Sequence, residues 1–125
     1  MRYLCLIYLD EKALDAMPPA DMSALNAEHL DFNDGLRASG HFIQAEALEP
    51  ARTTACVRVR AGKTSVTDGP FAETKEMVAG FYLIEAEDVN EAAAIASRIP
   101  SARLGTIEIR PARQLFVEGR EPRWG

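Results

Sequence analysis

The spacing of hydrophobic residues changes several times along this chain, and each change predicts an element of secondary structure. Residues 2–9 are apolar on both alternating faces, which predicts a strand buried on both sides. Residues 20–39 instead place apolar side chains three and four positions apart, as on one face of a helix. That helical stripe consists of Met22, Leu25, His29, Phe32 and Leu36.

The remaining pattern completes a recognisable order of elements. It predicts strands at 41–48, 53–60, 64–67, 79–86 and 103–110, and a helix between Asp88 and Pro100. The inner side of that helix is expected to carry Val89, Ala92, Ala93, Ala96 and Ile99. Residues 61–63 read as a hairpin turn, and residues 10–17 as a loop. This order is the ferredoxin-like βαββαβ plan: strand, helix, strand with an added hairpin, strand, helix and strand. We therefore expect an α+β fold with an inserted β-hairpin, an antiparallel sheet and both helices on one sheet face.

The first strand also predicts an assembly, because its second apolar face needs a cover that the helices do not supply. A second copy of the chain is the expected cover, so we predict a homodimer. Residues 1–111 are predicted to form the domain, and 112–125 a C-terminal tail that is polar apart from a few apolar side chains. The tail is either an arm over a neighbouring subunit or a mobile end.

Composition narrows the class of protein. A chain of 125 residues fits one domain, which is large enough to fold without disulfides or metal. Its net charge of -5 disfavours nucleic acid and anionic membranes as partners. No run approaches the ~20 apolar residues of a membrane span, and residues 3–9 are too short for a signal peptide. We expect a cytoplasmic protein.

The two cysteines, Cys5 and Cys56, both lie in predicted strands and form no C-x-x-C pair. They are predicted to be buried, reduced and inert, and a reactive thiol is the alternative.

The segment 68–76 concentrates more reactive groups than any other part of the chain. Asp68 and the Gly-Pro pair after it are typical of a tight turn, which would support the following side chains on a stiff backbone. Phe71 is expected to anchor the loop by burying its ring, with Glu73 and Lys75 projecting beyond it. We predict that Asp68, Phe71, Glu73 and Lys75 contribute to a ligand site; the alternative is a purely structural loop.

His29 lies within the apolar helical stripe and is the candidate catalytic residue. Such a histidine is either a hydrogen-bonded core residue or a base whose second ring nitrogen is held by a carboxylate or carbonyl group. We expect no cofactor, because no haem, flavin or nucleotide motif is visible. Two histidines without a Cys/His cluster predict no transition-metal site, and only a weak oxygen-ligand site from Asp68 and Glu73 stays open.

The nine residues 68–76, which read DGPFAETKE, resemble the signature of the DGPF branch of the YCII-related proteins. Further likeness is found at 37–41, 57–60, 80–85 and 108–111. The resemblance implies a dimeric α/β barrel, in which two sheets pack face to face. Glu28-His29-Leu30 resembles the segment in which some relatives, proposed to be enzymes, carry a helix histidine in a cleft. DGPF-type domains also occur beside extracytoplasmic-function sigma factors.

Two functions follow from these observations. The first is an enzyme of isomerase or lyase type that moves a proton on an unidentified small molecule, with His29 as base, Lys75 holding an anion and Asp68 or Glu73 orienting it. The second is a non-catalytic, metabolite-sensing or regulatory module of the kind associated with sigma factors. The enzyme needs His29 in a cavity with an acid in reach, whereas the binding module needs only the cavity.

Overall fold

The computed structural model describes all 125 residues and is built on a four-stranded antiparallel sheet. The strands are β1 (Arg2–Leu9), β2 (Phe42–Ala47), β3 (Ala55–Arg60), β4 (Lys63–Asp68), β5 (Met77–Glu85), β6 (Thr106–Pro111), β7 (Gln114–Leu115) and β8 (Arg123–Trp124). The helices are α1 (Glu11–Asp15), α2 (Pro19–Ala38) and α3 (Val89–Ala96), with short 3-10 turns at Ala51–Thr53 and Pro100–Arg103. The sheet order β2-β5-β1-β6 is that of the ferredoxin-like plan, so the predicted α+β fold is confirmed.

The core lies between the helices and one face of this sheet. Alternate residues of β1, including the fully buried Cys5, point into it, and Cys5 stands beside Tyr82 of β5 and Ile109 of β6. Leu36 of α2 and Ile95 of α3 belong to the same buried cluster. Both long helices therefore cover one sheet face, as the periodicity predicts. None of the helices combines the length and the apolar character needed to cross a bilayer.

The opposite sheet face, here called the open face, carries a stripe of apolar side chains that no helix covers. They come from β1 and β5 and are only partly buried: Leu4, Leu6, Tyr8, Val78, Phe81 and Leu83. Polar residues flank this stripe on the edge strands, because Glu46 of β2 pairs with Phe81 and Glu108 of β6 pairs with Leu6.

The inserted hairpin β3–β4 forms a two-stranded sheet of its own. Ala61 and Gly62 both have positive φ, at 51° and 74°, as the tight turn of a two-residue hairpin requires. The hairpin stands away from the core, and the side chains of Val57 and Val66 are mostly exposed.

Three expectations about local structure are wrong. Residues 11–15 form a short helix instead of a loop, because the Asp10 carboxylate caps it by accepting from the Lys12 amide at 3.0 Å. β6 begins only at Thr106, since residues 100–103 make a 3-10 turn. Helix α3 buries Ala92, Ile95 and Ala96, whereas Val89, which was expected on the inner side, is exposed.

The tail folds back on its own chain. Strands β7 and β8 pair, and the Arg2 guanidinium lies 4.8 Å from the centre of the Trp124 ring. This stacking connects the tail to the start of β1.

Candidate functional site

The segment 68–76 is held at both of its ends. Gly69 adopts a φ of +97°, and its amide donates to the Thr54 carbonyl at 2.7 Å. At the other end the Thr74 hydroxyl donates to the Glu76 carbonyl, and the Glu76 carboxylate accepts from the Thr106 hydroxyl at 2.8 Å. The loop is therefore fixed to the hairpin on one side and to β6 on the other.

This loop forms one wall of a cleft of about 470 Å³, here called the loop cleft. The start of α1 and the 3-10 turn at Ala51–Thr53 supply the other walls. The lining residues are Asp10, Glu11, Lys12, Ala51, Arg52, Pro70, Glu73, Thr74, Lys75 and Met77.

Of the four predicted ligand residues, Glu73 and Lys75 line the loop cleft, whereas Asp68 and Phe71 do not. Asp68 is the last residue of β4 and is exposed. The predicted burial of Phe71 is wrong, because the residue is 83% exposed, with the Arg58 guanidinium 6.0 Å from the centre of its ring. Strand β4, which leads into the loop, is exposed along its whole length, and Phe71 stays in solvent with it.

Hydrogen bonds to backbone amides shape the cleft wall opposite the loop. Glu11 accepts from the Ala51 amide at 2.9 Å, which joins α1 to the 3-10 turn across forty positions of sequence. Arg52 lies beside this contact, 4.0 Å from the Asp15 carboxylate. No sequence pattern pointed to these residues, since the interactions that bring them to the loop are all non-local.

His29 has a hydroxyl group on each ring nitrogen. Nδ1 lies 2.9 Å from the Tyr82 hydroxyl and Nε2 lies 2.6 Å from the Ser101 hydroxyl. Tyr82 donates its own proton to Asn33 Oδ1 at 2.6 Å, so it accepts from His29 Nδ1–H. That leaves Nε2 as the acceptor of the Ser101 proton, which defines one neutral tautomer.

The electrostatics around His29 favour this neutral form. Burial lowers the pKa of the imidazole below its ordinary value of 6.5, against the opposing influence of Glu28. The Glu28 carboxylate is engaged with Arg103 through two bonds of 2.9 and 3.0 Å, which lower the pKa of Glu28. Burial also raises the pKa of Tyr82 to about 12, which keeps its phenol protonated.

Neither ring nitrogen of His29 contacts a carboxylate or a carbonyl group, so the condition stated for a catalytic base is not met by the direct contacts of the ring. His29 also does not line the loop cleft. The residues that do contact it were missed by sequence reasoning. Asn33, which accepts from Tyr82, follows His29 by four positions on α2, so it was the one member of this network that helical spacing could have identified.

The two cysteines differ in their surroundings. Cys5 is fully buried, as predicted, and burial raises the pKa of its thiol to about 11. Cys56 is only partly buried, with Sγ 3.4 Å from the Gly69 carbonyl, so the burial predicted for it is incomplete. No group of three or more His, Cys, Asp or Glu side chains is arranged to hold a metal ion.

Comparison with known proteins adds a family to this geometry. Residues 1–115 match the model of the YCII-related domain, which extends from β1 through the first strand of the tail. The chain is also similar to an uncharacterized protein of Rhizobium meliloti (strain 1021). The two sequences are 35% identical over an alignment 131 residues long. This alignment includes 98% of this chain and 99% of the relative.

Proposed function

Because the chain belongs to the YCII-related family, and its DGPF loop walls a cleft, we propose that it is a small-molecule-binding protein whose ligand site is the loop cleft. The observation that carries the proposal is the convergence of three separate chain segments on one cleft of about 470 Å³. This volume falls within the usual range of ligand sites, roughly 300–1,000 Å³.

The stiffness of the loop supports this proposal. Glu73 and Lys75 follow Pro70, and Thr74 between them bonds within the loop, so both charged side chains project from a restrained backbone. Charged groups on a restrained support orient a ligand at a lower entropic cost than mobile ones. The lining is mostly charged, which favours a polar ligand over an apolar one.

We propose further that the protein works as a homodimer joined through the open face. An apolar centre with a polar rim is typical of a specific interface, and the open face has this arrangement in Leu6 and Phe81 with Glu46 and Glu108 around them. Two such faces would cover each other and remove the apolar stripe from water.

The binding proposal is tested by mapping ligands on the protein and by altering the loop. Amide NMR spectra of the full chain are recorded with a panel of amino acids, keto acids, dicarboxylates, sugar phosphates and polyamines. A true ligand shifts amides of residues 73–75, and Glu73→Ala or Lys75→Ala weakens its binding while leaving the thermal midpoint nearly unchanged. Lys63→Ala, at the hairpin tip outside the cleft, is the matched control.

A different result would show that the loop has a structural role and does not bind a ligand. In that case Glu73→Ala and Lys75→Ala would lower stability strongly, and any ligand found by the panel would bind both variants normally.

A second candidate function is proton transfer at His29, which its neutral tautomer permits although no carboxylate contacts the ring and His29 lies outside the loop cleft. Nε2 is an unprotonated acceptor in a half-buried site, as a general base requires, with Ser101 and Tyr82 as the adjoining hydroxyls. The test is exchange of the methyl protons of pyruvate in D2O, followed by proton NMR. Exchange catalysed by the wild type and lost in His29→Gln would support a catalytic role. The sigma-factor-associated role stays a prediction from the resemblance.

A further inference from the structure

The loop cleft contains as many acidic as basic side chains, but the two sets are not equally engaged. The acidic residues are Asp10, Glu11 and Glu73, and the basic residues are Lys12, Arg52 and Lys75. Two of the three carboxylates are committed to the cleft wall, since Asp10 accepts from the Lys12 amide at 3.0 Å and Glu11 from the Ala51 amide at 2.9 Å.

The basic side chains, in contrast, are almost without partners. Neither Lys12 nor Lys75 forms an ion pair within the chain. The Arg52 guanidinium lies 4.0 Å from Asp15, and both side chains of this pair are largely exposed, at 73% and 66%. Such a loose exposed pair contributes little free energy, so Arg52 is available to another partner.

We infer that the loop cleft takes a small organic anion with carboxylate or phosphate groups, held by Lys12, Arg52 and Lys75. The inference rests on the proposed function, because it names the class of ligand for the same cleft. A guanidinium group presents paired N–H donors that match a carboxylate or phosphate, and the two ammonium groups add point charges. Among the charged lining residues, Lys12, Lys75 and Glu73 form no ion pair within the chain, and Arg52 forms only the loose one with Asp15.

The cleft lining is formally neutral, with three acidic and three basic side chains, in a chain whose net charge is -5. A protein of net charge -5 repels small anions from most of its surface. Anion binding at the loop cleft would therefore be a property of the three basic side chains and not of the protein as a whole. Because these side chains are exposed to solvent, the affinity should fall as salt is added.

The test compares probes of matched length and different charge. Succinate is titrated into the full-length protein and followed by amide NMR, beside its neutral analogue succinamide and the four-carbon dication putrescine. Glycerol 3-phosphate replaces succinate in a parallel titration and distinguishes phosphate from carboxylate. The expected result is saturable, salt-sensitive shifts of residues 11–12 and 73–75 with at least one anion, and little effect of succinamide or putrescine.

Variants assign the binding to the named side chains. Lys12→Gln and Lys75→Gln should each weaken the anion by about tenfold, the effect of one lost charge contact of about 1.4 kcal/mol. Lys63→Gln removes the same charge outside the cleft and should leave the affinity unchanged. Unchanged circular dichroism and thermal midpoints confirm that all three variants are folded.

Three results would overturn the inference. Putrescine or succinamide shifting the cleft amides while neither anion does would reject the anion class and leave the proposed binding function in place. Equal weakening by Lys63→Gln and Lys75→Gln would mean that the anion associates with the surface in general. If neither these probes nor the wider metabolite panel shifted the amides of the cleft, both the inference and the proposed function would be rejected.

Discussion

Replacing Tyr82 with Phe removes one hydroxyl group that joins strand β5 to helix α2. That hydroxyl accepts from His29 at 2.9 Å and donates to Asn33 at 2.6 Å, and the Tyr82 side chain is only 3% exposed. The ring itself, which packs edge-on against Phe32 with centroids 5.6 Å apart, is retained in the variant. The substitution therefore isolates the two hydrogen bonds from the packing.

The expected cost follows from what each partner loses. A hydrogen bond of this kind contributes about 1 kcal/mol, and a partner left unpaired in a buried site costs about 1–3 kcal/mol. His29 and Asn33 are both partly exposed, so water can replace part of each bond. We expect a loss of about 2 kcal/mol, which lowers the thermal midpoint of a domain of this size by roughly 8 °C.

The assay is urea unfolding at fixed protein concentration, at a pH above 6.5, the ordinary pKa of histidine. Tyr3→Phe is the matched control. Tyr3 is also 3% exposed, but its hydroxyl contacts only the Met1 sulfur at 3.9 Å, a weak acceptor. Its loss should cost under about 0.5 kcal/mol. Equal losses of stability in the two variants would refute the reasoning.

Four further outcomes are expected. Burial lowers the pKa of His29, so around and below pH 6.5 the unfolded state binds more protons than the folded state. The free energy of unfolding should therefore be unaffected by His29 well above pH 6.5 and should decrease as the pH falls below it. A midpoint at or above 6.5 in an NMR titration of His29 would contradict this. Leu6→Asp on the open face should convert a dimer to a folded monomer in sedimentation equilibrium, a prediction lost if the wild type is itself monomeric at micromolar concentration. Asp88→Ala should cost about 1 kcal/mol in urea unfolding, because the carboxylate accepts from the Glu91 amide at the start of α3, and Asp88→Asn should keep most of it. Cys5 should resist thiol reagents in the native protein, since it is fully buried with a pKa of about 11, and rapid labelling would show that this strand opens.

Hydrophobic spacing in the sequence was sufficient to predict the sheet, the two long helices and their order. Periodicity reports which face of an element is buried, and it did so for the stripe of α2, whose Leu25 and Leu36 are in the interior. Local turn chemistry was sufficient for the hairpin, because the turn at Ala61 and Gly62 depends on its own backbone angles. The sequence also identified the loop whose Glu73 and Lys75 line the cleft.

Only the tertiary structure decided which side chains meet. Tyr82 and Ser101 reach His29 from 53 and 72 positions away, through the register of β5 and the placement of the turn after α3. The cleft wall opposite the loop comes from Glu11 and Arg52, whose neighbourhood depends on one hydrogen bond between α1 and a distant 3-10 turn. The burial predicted for Phe71 was wrong for the same reason. Sequence pattern describes the preference of a residue for water or for an interior, but whether an interior lies beside that residue is set by the packing of remote segments.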